Sequence, residues 1–223
     1  MKTMLVKWSF LVENSVKNLY RHRKRYFLYG VLLLAALTVF FCAVTIRQAV
    51  GAVLDTHLDI YAPGGVWIPA EEADLTDAVY SREQVGIADV LALPAQRIAW
   101  LAGLTVLILV HYTVRFLHHI RLTEYAVICS AGAGMGMVLL SAAAEIFIFL
   151  TGVYITGIFA GFGAGHLLSV WGAVPDFLSF VLPDWQLCWM GEGGIAVLLL
   201  LHILSMARIF RKNTPIRLLS AHS

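Results

Sequence analysis

The sequence has few charged residues for its length. Only 13% of its 223 residues are Asp, Glu, Lys or Arg, whereas 60% are hydrophobic. Soluble domains carry about a quarter charged residues. A water-soluble core of this size could not enclose so much apolar surface, so the composition predicts a protein that is integral to a membrane.

Residue patterns for catalysis, metal binding and nucleotide binding are missing as well. The three cysteines, Cys42, Cys129 and Cys188, are scattered and show no C-x-x-C spacing, so we interpret them as packing residues. The sequence contains no G-x-x-x-x-G-K-[ST], G-x-S-x-G or H-E-x-x-H motif. These absences argue against an enzyme, and they exclude ATP binding by a P-loop in this chain.

Several apolar stretches are long enough to cross a membrane, which takes about 20 residues in a helix. The stretches without charge at 125–144 and 146–175 permit either one or two spans, so four or five spans fit by length. Four spans place thirteen of the sixteen basic residues on the side of both termini, as the positive-inside rule requires. Five spans would move the basic C-terminus outside. The fold class is therefore predicted as all-α with four transmembrane helices, at 26–46, 98–117, 137–167 and 190–210.

The segments between these helices follow from the same topology. Residues 1–25 are predicted as a basic amphipathic cytoplasmic helix, because Leu5, Trp8, Val12, Val16 and Leu19 recur at spacings of three and four. It is either a lipid-surface anchor or an elbow that transmits movement. The small acidic segment 47–97 is predicted to be extracytoplasmic. It is either a solvated loop or a segment whose negative charge attracts a cationic peptide. The other predicted segments are a cytoplasmic segment at 118–136, an extracytoplasmic loop at 168–189 and a basic cytoplasmic tail at 211–223.

A few polar and small residues inside the spans are candidates for function or for packing. Glu145 is costly in a membrane unless it is paired, so it is either a functional carboxylate or a structural hydrogen bonder. His111 and His202 are more typical of hydrogen bonds between helices than of a proton pathway. Gly157, Gly161 and Gly165 lie four apart on one helix face. They predict close approach of another helix, either within one bundle or between subunits.

Three parts of the sequence resemble one family. The stretch RLTEYAVICSAGAGMGMVLLSAAAEIFIFLTGVYITGIFAG is similar to the FtsX/MacB-like permeases of ABC transporters, the type VII mechanotransmission class. The opening SVKNLYRHRKRYFL and the ending ARIFRKNTPIRLL resemble the same family. Residues 47–96 show no such resemblance. The positions that match the family pattern are Arg121, Glu124, Tyr125, Ile128, Gly132, Ala133 and Glu145.

This resemblance implies a non-catalytic permease subunit in the bacterial plasma (inner) membrane. Such permeases pair with a second copy or with a related, larger permease, and two separate ATPase subunits carry the ATP and Mg. No cofactor in this chain and no nucleic-acid partner are expected, whereas membrane lipids are. Residues 121–133 would contact the ATPase, which drives export, extraction or signalling that involves a peptide or lipophilic substrate. The alternative is a tetraspan structural or assembly protein without an ATPase partner.

Overall fold

The computed structural model describes residue 13 and residues 15–61, 82–132, 134–178 and 185–212. A short helical stretch at 15–21 leads through a turn at His22 into the first long helix. Within these ranges every regular element is a helix and there is no strand, which confirms the all-α prediction for this part of the chain. The four long helices are α1 Arg23–Tyr61, α2 Arg82–Ser130, α3 Met135–Val170 and α4 Trp185–Lys212.

The helices follow from the apolar sequence. In a hydrocarbon layer no water can satisfy the backbone N–H and C=O groups, so an apolar stretch must form these hydrogen bonds within itself. In the part of the chain that the structure describes, three helices contain stretches that are long and apolar enough to cross a membrane: Tyr26–Asp55, Glu83–His119 and Gly136–Val170. The apolar part of α4, Gly191–Leu204, is shorter. Its 14 residues extend about 21 Å against a hydrocarbon thickness of about 30 Å, so the fourth span stays a prediction.

Most of residues 125–175, the stretch for which one or two spans were considered, forms a single long helix. Residues 135–170 belong to α3 alone, so the uncharged stretch that began at residue 125 is divided at a turn near residue 132. The chain before this turn is the end of α2, which extends helically through most of the segment 118–136. No helix-breaking residue occurs between Leu117 and Ser130, which explains why α2 continues past the predicted end of the second span.

The helices on either side of the acidic segment 47–97 are also longer than the predicted spans. α1 continues to Tyr61, and α2 already begins at Arg82 with Pro94 in its interior. A charged residue marks the edge of a span but does not end a helix, and residues 48–54 are mostly Ala, Val and Leu. Residues 62–81 and 213–223, Ala133, Leu5, Trp8 and Val12 lie outside the described residues.

Glycines end two of the helices. Gly172 follows α3 with φ of +69°, and its N–H donates to the carbonyl of Ser169 while the N–H of Ala173 donates to that of Leu168. This pair of bonds is the Schellman arrangement. Gly132 follows α2 with φ of +96°, and its N–H donates to the carbonyl of Cys129. Both positions need a left-handed backbone, which glycine adopts at little cost.

The described residues form two compact units. The first contains Leu107–Ile155, the residues up to Leu34 and those from Trp185 onward. Its core includes Tyr125, Val138, Leu139 and Ala142. The second contains Ala35–Val106 and Thr156–Asp184, and its core includes Ala49, Val50, Val53, Ala88, Val174 and Leu178. The candidate functional residues at the end of α2 belong to the first unit.

Candidate functional site

A carboxylate in α3 is fully enclosed by protein. Glu145 is 1% exposed, and the apolar stretch around it offers few partners within α3 itself. Both of its oxygens are nevertheless satisfied by side chains of other helices. Oε1 accepts a hydrogen bond of 2.5 Å from the Tyr26 hydroxyl in α1, and Oε2 accepts one from Nη1 of Arg121 in α2. The ion pair balances a charge that would otherwise be expensive to bury.

Arg121 joins this buried carboxylate to a second, more exposed one. The arginine side chain is 9% exposed, and its Nε donates to Oε2 of Glu124 at 2.9 Å. Residues three apart on a helix are neighbours on one face. Arg121 and Glu124 therefore lie on the same face of α2. We call Tyr26, Arg121, Glu124 and Glu145 the Arg121 network. It connects three helices through hydrogen bonds to charged groups, which are about twice as strong as neutral ones.

Aromatic contacts hold the network in position. The Tyr26 ring packs edge-on against Phe149, with 5.0 Å between the ring centres. Phe149 follows Glu145 by one helical turn, so this contact aims the Tyr26 hydroxyl at the carboxylate. The Tyr125 ring lies 5.3 Å from the Arg121 guanidinium carbon and packs with Val138, Leu139 and Ala142 of α3. These contacts shield Arg121 and Glu145, the two buried charged groups of the network, from water.

The same packing keeps two groups in a single protonation state. Burial opposes the charge of Arg121, but its contacts with Tyr125, Glu145 and Glu124 outweigh burial and raise the pKa above its ordinary value. The guanidinium is therefore charged throughout the physiological range. Burial raises the pKa of Tyr125. The positive charge of Arg121 acts against this shift, and the charges of Glu145 and Glu124 act with it. Tyr125 is therefore neutral, and Arg121 provides a fixed positive charge within the network.

The network reaches the surface at the end of α2. The side chain of Glu124 is 40% exposed, and its Oε1 lies 3.7 Å from Nε2 of His22, just before α1. One turn further along α2, Val127 and Ile128 are 52% and 43% exposed. We call Glu124, Val127, Ile128 and Gly132 the α2 end surface. It presents a carboxylate, two apolar side chains and a glycine turn next to the buried charges.

The structure groups most of the predicted coupling residues around Arg121. Arg121 contacts Glu124, Tyr125 and Glu145. Ile128 and Gly132 lie along the following turns of the chain. Ala133 lies outside the described residues. The family resemblance selected these positions because they match a sequence motif. In the structure, the guanidinium of Arg121 joins Glu124, Tyr125 and Glu145.

The two predicted intramembrane histidines face each other in the first unit. The ring centres of His111 and His202 are 5.1 Å apart, and His118 lies 6.2 Å from His202 by the same measure. Within the residues that the structure describes, no three His, Cys, Asp or Glu side chains are spaced to hold a metal ion. The cluster brings α2 and α4 together, and His118 lies one helical turn before Arg121 on α2.

The glycine face of α3 lies in the second unit and packs against α1. A Cβ at Gly157 would lie 2.7 Å from the Leu37 Cβ, and one at Gly161 would meet Phe41 and lie 2.9 Å from the backbone nitrogen of Cys42. Gly165 is buried. In this unit Gly157 and Gly161 permit close approach of two helices of one chain, which was one of the two interpretations left open by the sequence.

Sequence reasoning missed two polar contacts of the first unit. Tyr26 was not singled out, because a tyrosine next to a basic run at the edge of a span is common; its hydroxyl, which needs a partner when buried, was the available signal. Thr151 in α3 donates a hydrogen bond of 2.6 Å to Oε1 of Glu192 in α4. That pairing has no local sequence signal, because the two residues lie on different helices.

Comparison with known protein families identifies a match over the second half of the chain. The family described as FtsX-like permease, C-terminal, matches residues 98–215, which is more than half of the chain. The matched range contains Arg121, Glu124 and Glu145. Searches of curated proteins and of solved structures found no significant match.

Proposed function

Because the chain belongs to the FtsX-like permease family, we propose that it is the permease subunit of an ABC transporter. ATP hydrolysis on a separate ATPase subunit drives export, extraction or transmembrane signalling that involves a peptide or lipophilic substrate. This chain contributes no catalytic group, and it works with a second permease, either a copy of itself or a larger relative. It resides in a bacterial inner membrane with four spans and both termini in the cytoplasm.

The Arg121 network is the observation that supports this function best. A permease of this kind needs a rigid connection between the surface that meets the ATPase and the helices that cross the membrane. Glu124 is half-exposed, and Arg121 connects it to Glu145 of α3, which also holds Tyr26 of α1. Separating a buried ion pair leaves an uncompensated charge and is costly. A displacement of the end of α2 is therefore passed to α1 and α3 instead of being absorbed locally.

The α2 end surface has the chemistry of a docking site for a protein. Exposed apolar side chains beside a charged group and a turn are typical of the partly apolar patches that proteins bind. Val127 and Ile128 provide the apolar part, and Glu124 provides the charge. In the proposed topology this surface lies on the cytoplasmic side, where an ATPase subunit is available.

Affinity purification with a variant at the α2 end surface tests the proposal. The tagged chain is extracted from its native host in mild detergent, with and without a non-hydrolysable ATP analogue, and co-purifying proteins are identified by mass spectrometry. We expect a P-loop ATPase whose recovery depends on nucleotide. Ile128→Glu should lose most of that ATPase, because it places a carboxylate in the apolar part of the contact. Ile128→Val, which keeps the surface apolar, should retain it.

A second variant separates docking from transmission. Glu124→Gln keeps the size of the side chain but weakens its bond to Arg121, so the ATPase should still be recovered while the effect of nucleotide on recovery is reduced. If no P-loop ATPase is recovered with the native chain in either nucleotide condition, the permease proposal is wrong. The alternative, a tetraspan structural or assembly protein, then takes its place.

A further inference from the structure

The second unit contains an apolar cavity that the proposed function does not use. Its volume is about 520 Å³, and α1, α2, α3 and the turn after α3 form its walls. Residues that line it include Thr38, Cys42, Pro94, Ala164, Leu168 and Trp171. No charged side chain is among the lining residues. The volume lies within the range of about 300–1,000 Å³ that is usual for small-molecule sites.

Small residues and a proline leave this space open. Ala164 on α3 and Pro94 on α2 face the cavity, and neither can fill it as a leucine or phenylalanine would. Pro94 has no N–H to donate to the carbonyl four residues earlier, so α2 lacks one internal hydrogen bond at this level. The cavity is partly open and not sealed inside the unit.

The position of the cavity within the candidate membrane spans indicates which kind of ligand it can hold. Thr38 and Cys42, Pro94, and Ala164 and Leu168 each lie within one of the three candidate membrane spans. Hydrocarbon surrounds such helices, and a cavity lined by apolar groups does not retain water. A peptide would leave backbone polar groups without partners in this site. An acyl chain needs no polar partner.

We propose that the cavity holds an acyl chain of a membrane phospholipid. From Thr38 to Ile46 the lining residues of α1 extend about 12 Å along the helix axis, a length that suits a substantial part of one chain. Trp171 borders the cavity where α3 ends, at the level where tryptophan is favoured beside lipid headgroups. The lipid is bound as a structural ligand, so this inference goes beyond the ATPase-coupled function and does not depend on it.

Photocrosslinking in vesicles tests this inference. The full-length chain is reconstituted into phosphatidylethanolamine and phosphatidylglycerol that contain a trace of phosphatidylcholine with a diazirine in the acyl chain. After illumination, labelled residues are mapped by mass spectrometry. We expect preferential labelling of residues 38–46, 91–98 and 164–174 over the exposed apolar residues of α4. Ala164→Phe should reduce that labelling several-fold, and Ala196→Phe, at an exposed position on α4, should leave it unchanged.

Filling the cavity after the protein has folded distinguishes a loss of lipid binding from misfolding of the Ala164→Phe variant. A chain that keeps Cys42 but carries Cys129→Ser and Cys188→Ser is alkylated with a bulky, membrane-permeable maleimide and then photolabelled. We expect the same several-fold loss at residues 91–98 and 164–174. Even labelling over all apolar helix surfaces, or labelling that survives both the Ala164 substitution and Cys42 alkylation, would overturn the proposal.

Discussion

The two donors that hold the carboxylate of Glu145 contribute differently. Arg121 provides a full positive charge, whereas Tyr26 provides a neutral hydroxyl. Removing the carboxylate leaves a guanidinium that is 9% exposed, with Glu124 as its remaining charged partner among the described residues. Removing the hydroxyl leaves the ion pair intact. Substitutions at the level of single residues can therefore measure the charge and the hydrogen bond separately.

Glu145→Gln should lower the free energy of unfolding by about 3 kcal/mol, because it leaves the buried charge of Arg121 poorly compensated. The double variant Arg121→Met with Glu145→Met should be more stable than Glu145→Gln alone, since both charges are then gone. Reversible unfolding in mixed detergent micelles, followed by circular dichroism, measures both values. If the double variant is the less stable of the two, the buried pair is not the main source of the loss.

Tyr26→Phe should have a smaller effect. It removes one hydrogen bond to a charged acceptor, worth roughly 1.5–3 kcal/mol, and keeps the ring contact with Phe149. The same unfolding assay measures the change. Tyr29→Phe is the matched control, because Tyr29 also makes a ring contact in α1, with Phe116. Equal losses at Tyr26 and Tyr29 would show that the hydroxyl of Tyr26 adds nothing specific.

At the scale of the elements, the contact between α1 and α3 in the second unit depends on glycine. A side chain at Gly161 would meet the backbone of Phe41 and Cys42, which cannot move aside as a flexible side chain does. Gly163, two residues later on the same helix, has no atom within 4 Å of where its Cβ would be. The two positions differ in their surroundings while sharing helix, residue type and approximate depth.

Gly161→Ala should therefore destabilise the protein by about 1–3 kcal/mol, as overpacking of a tight contact does. Gly163→Ala should be neutral or stabilising by up to about 1 kcal/mol, because alanine is the better helix former. Thermal unfolding of both variants in the same detergent tests this difference. Loss of stability at Gly163 as large as that at Gly161 would mean that helix propensity or lipid contact, and not the approach of α1, governs this face.

The number of membrane crossings is a property of the whole chain. Three helices have long apolar stretches, and the apolar part of α4 is shorter. α4 itself has 28 residues, about 42 Å of helix, so its length suffices if flanking polar side chains extend to the interface. The side of the membrane on which the C-terminus lies therefore distinguishes four spans from three.

Four spans predict a cytoplasmic C-terminus. A C-terminal tag should resist protease added outside spheroplasts and be cut after permeabilisation. In variants with one cysteine each, Cys188 at the start of α4 should react with an impermeant maleimide from outside, whereas Cys129 at the end of α2 should react only after permeabilisation. A tag that is digested in intact spheroplasts would mean that α4 does not cross the membrane.

Much of the fold could be predicted because its causes are local. Apolar runs in a lipid environment must form helices, so the all-α class follows from composition and hydropathy. The ends of the helices do not follow from the positions of the charges, because a charged residue limits a span without ending a helix. α1 continues to Tyr61 and α2 begins at Arg82. The division of residues 125–175 depends on the turn at Gly132, whose positive φ is not apparent among the neighbouring glycines of the sequence.

Several chemical features follow from the amino-acid sequence alone: helices of a membrane protein, the lack of a P-loop motif, a carboxylate in an apolar stretch and a family motif around Arg121. The contacts between side chains of different helices depend on the tertiary structure. Glu145 and Arg121 are 24 residues apart, and Glu145 and Tyr26 are 119 apart. Such pairings arise when separate helices pack, as does the cavity beside Pro94. They depend on how side-chain volumes fill the space between helices, and no local pattern records that.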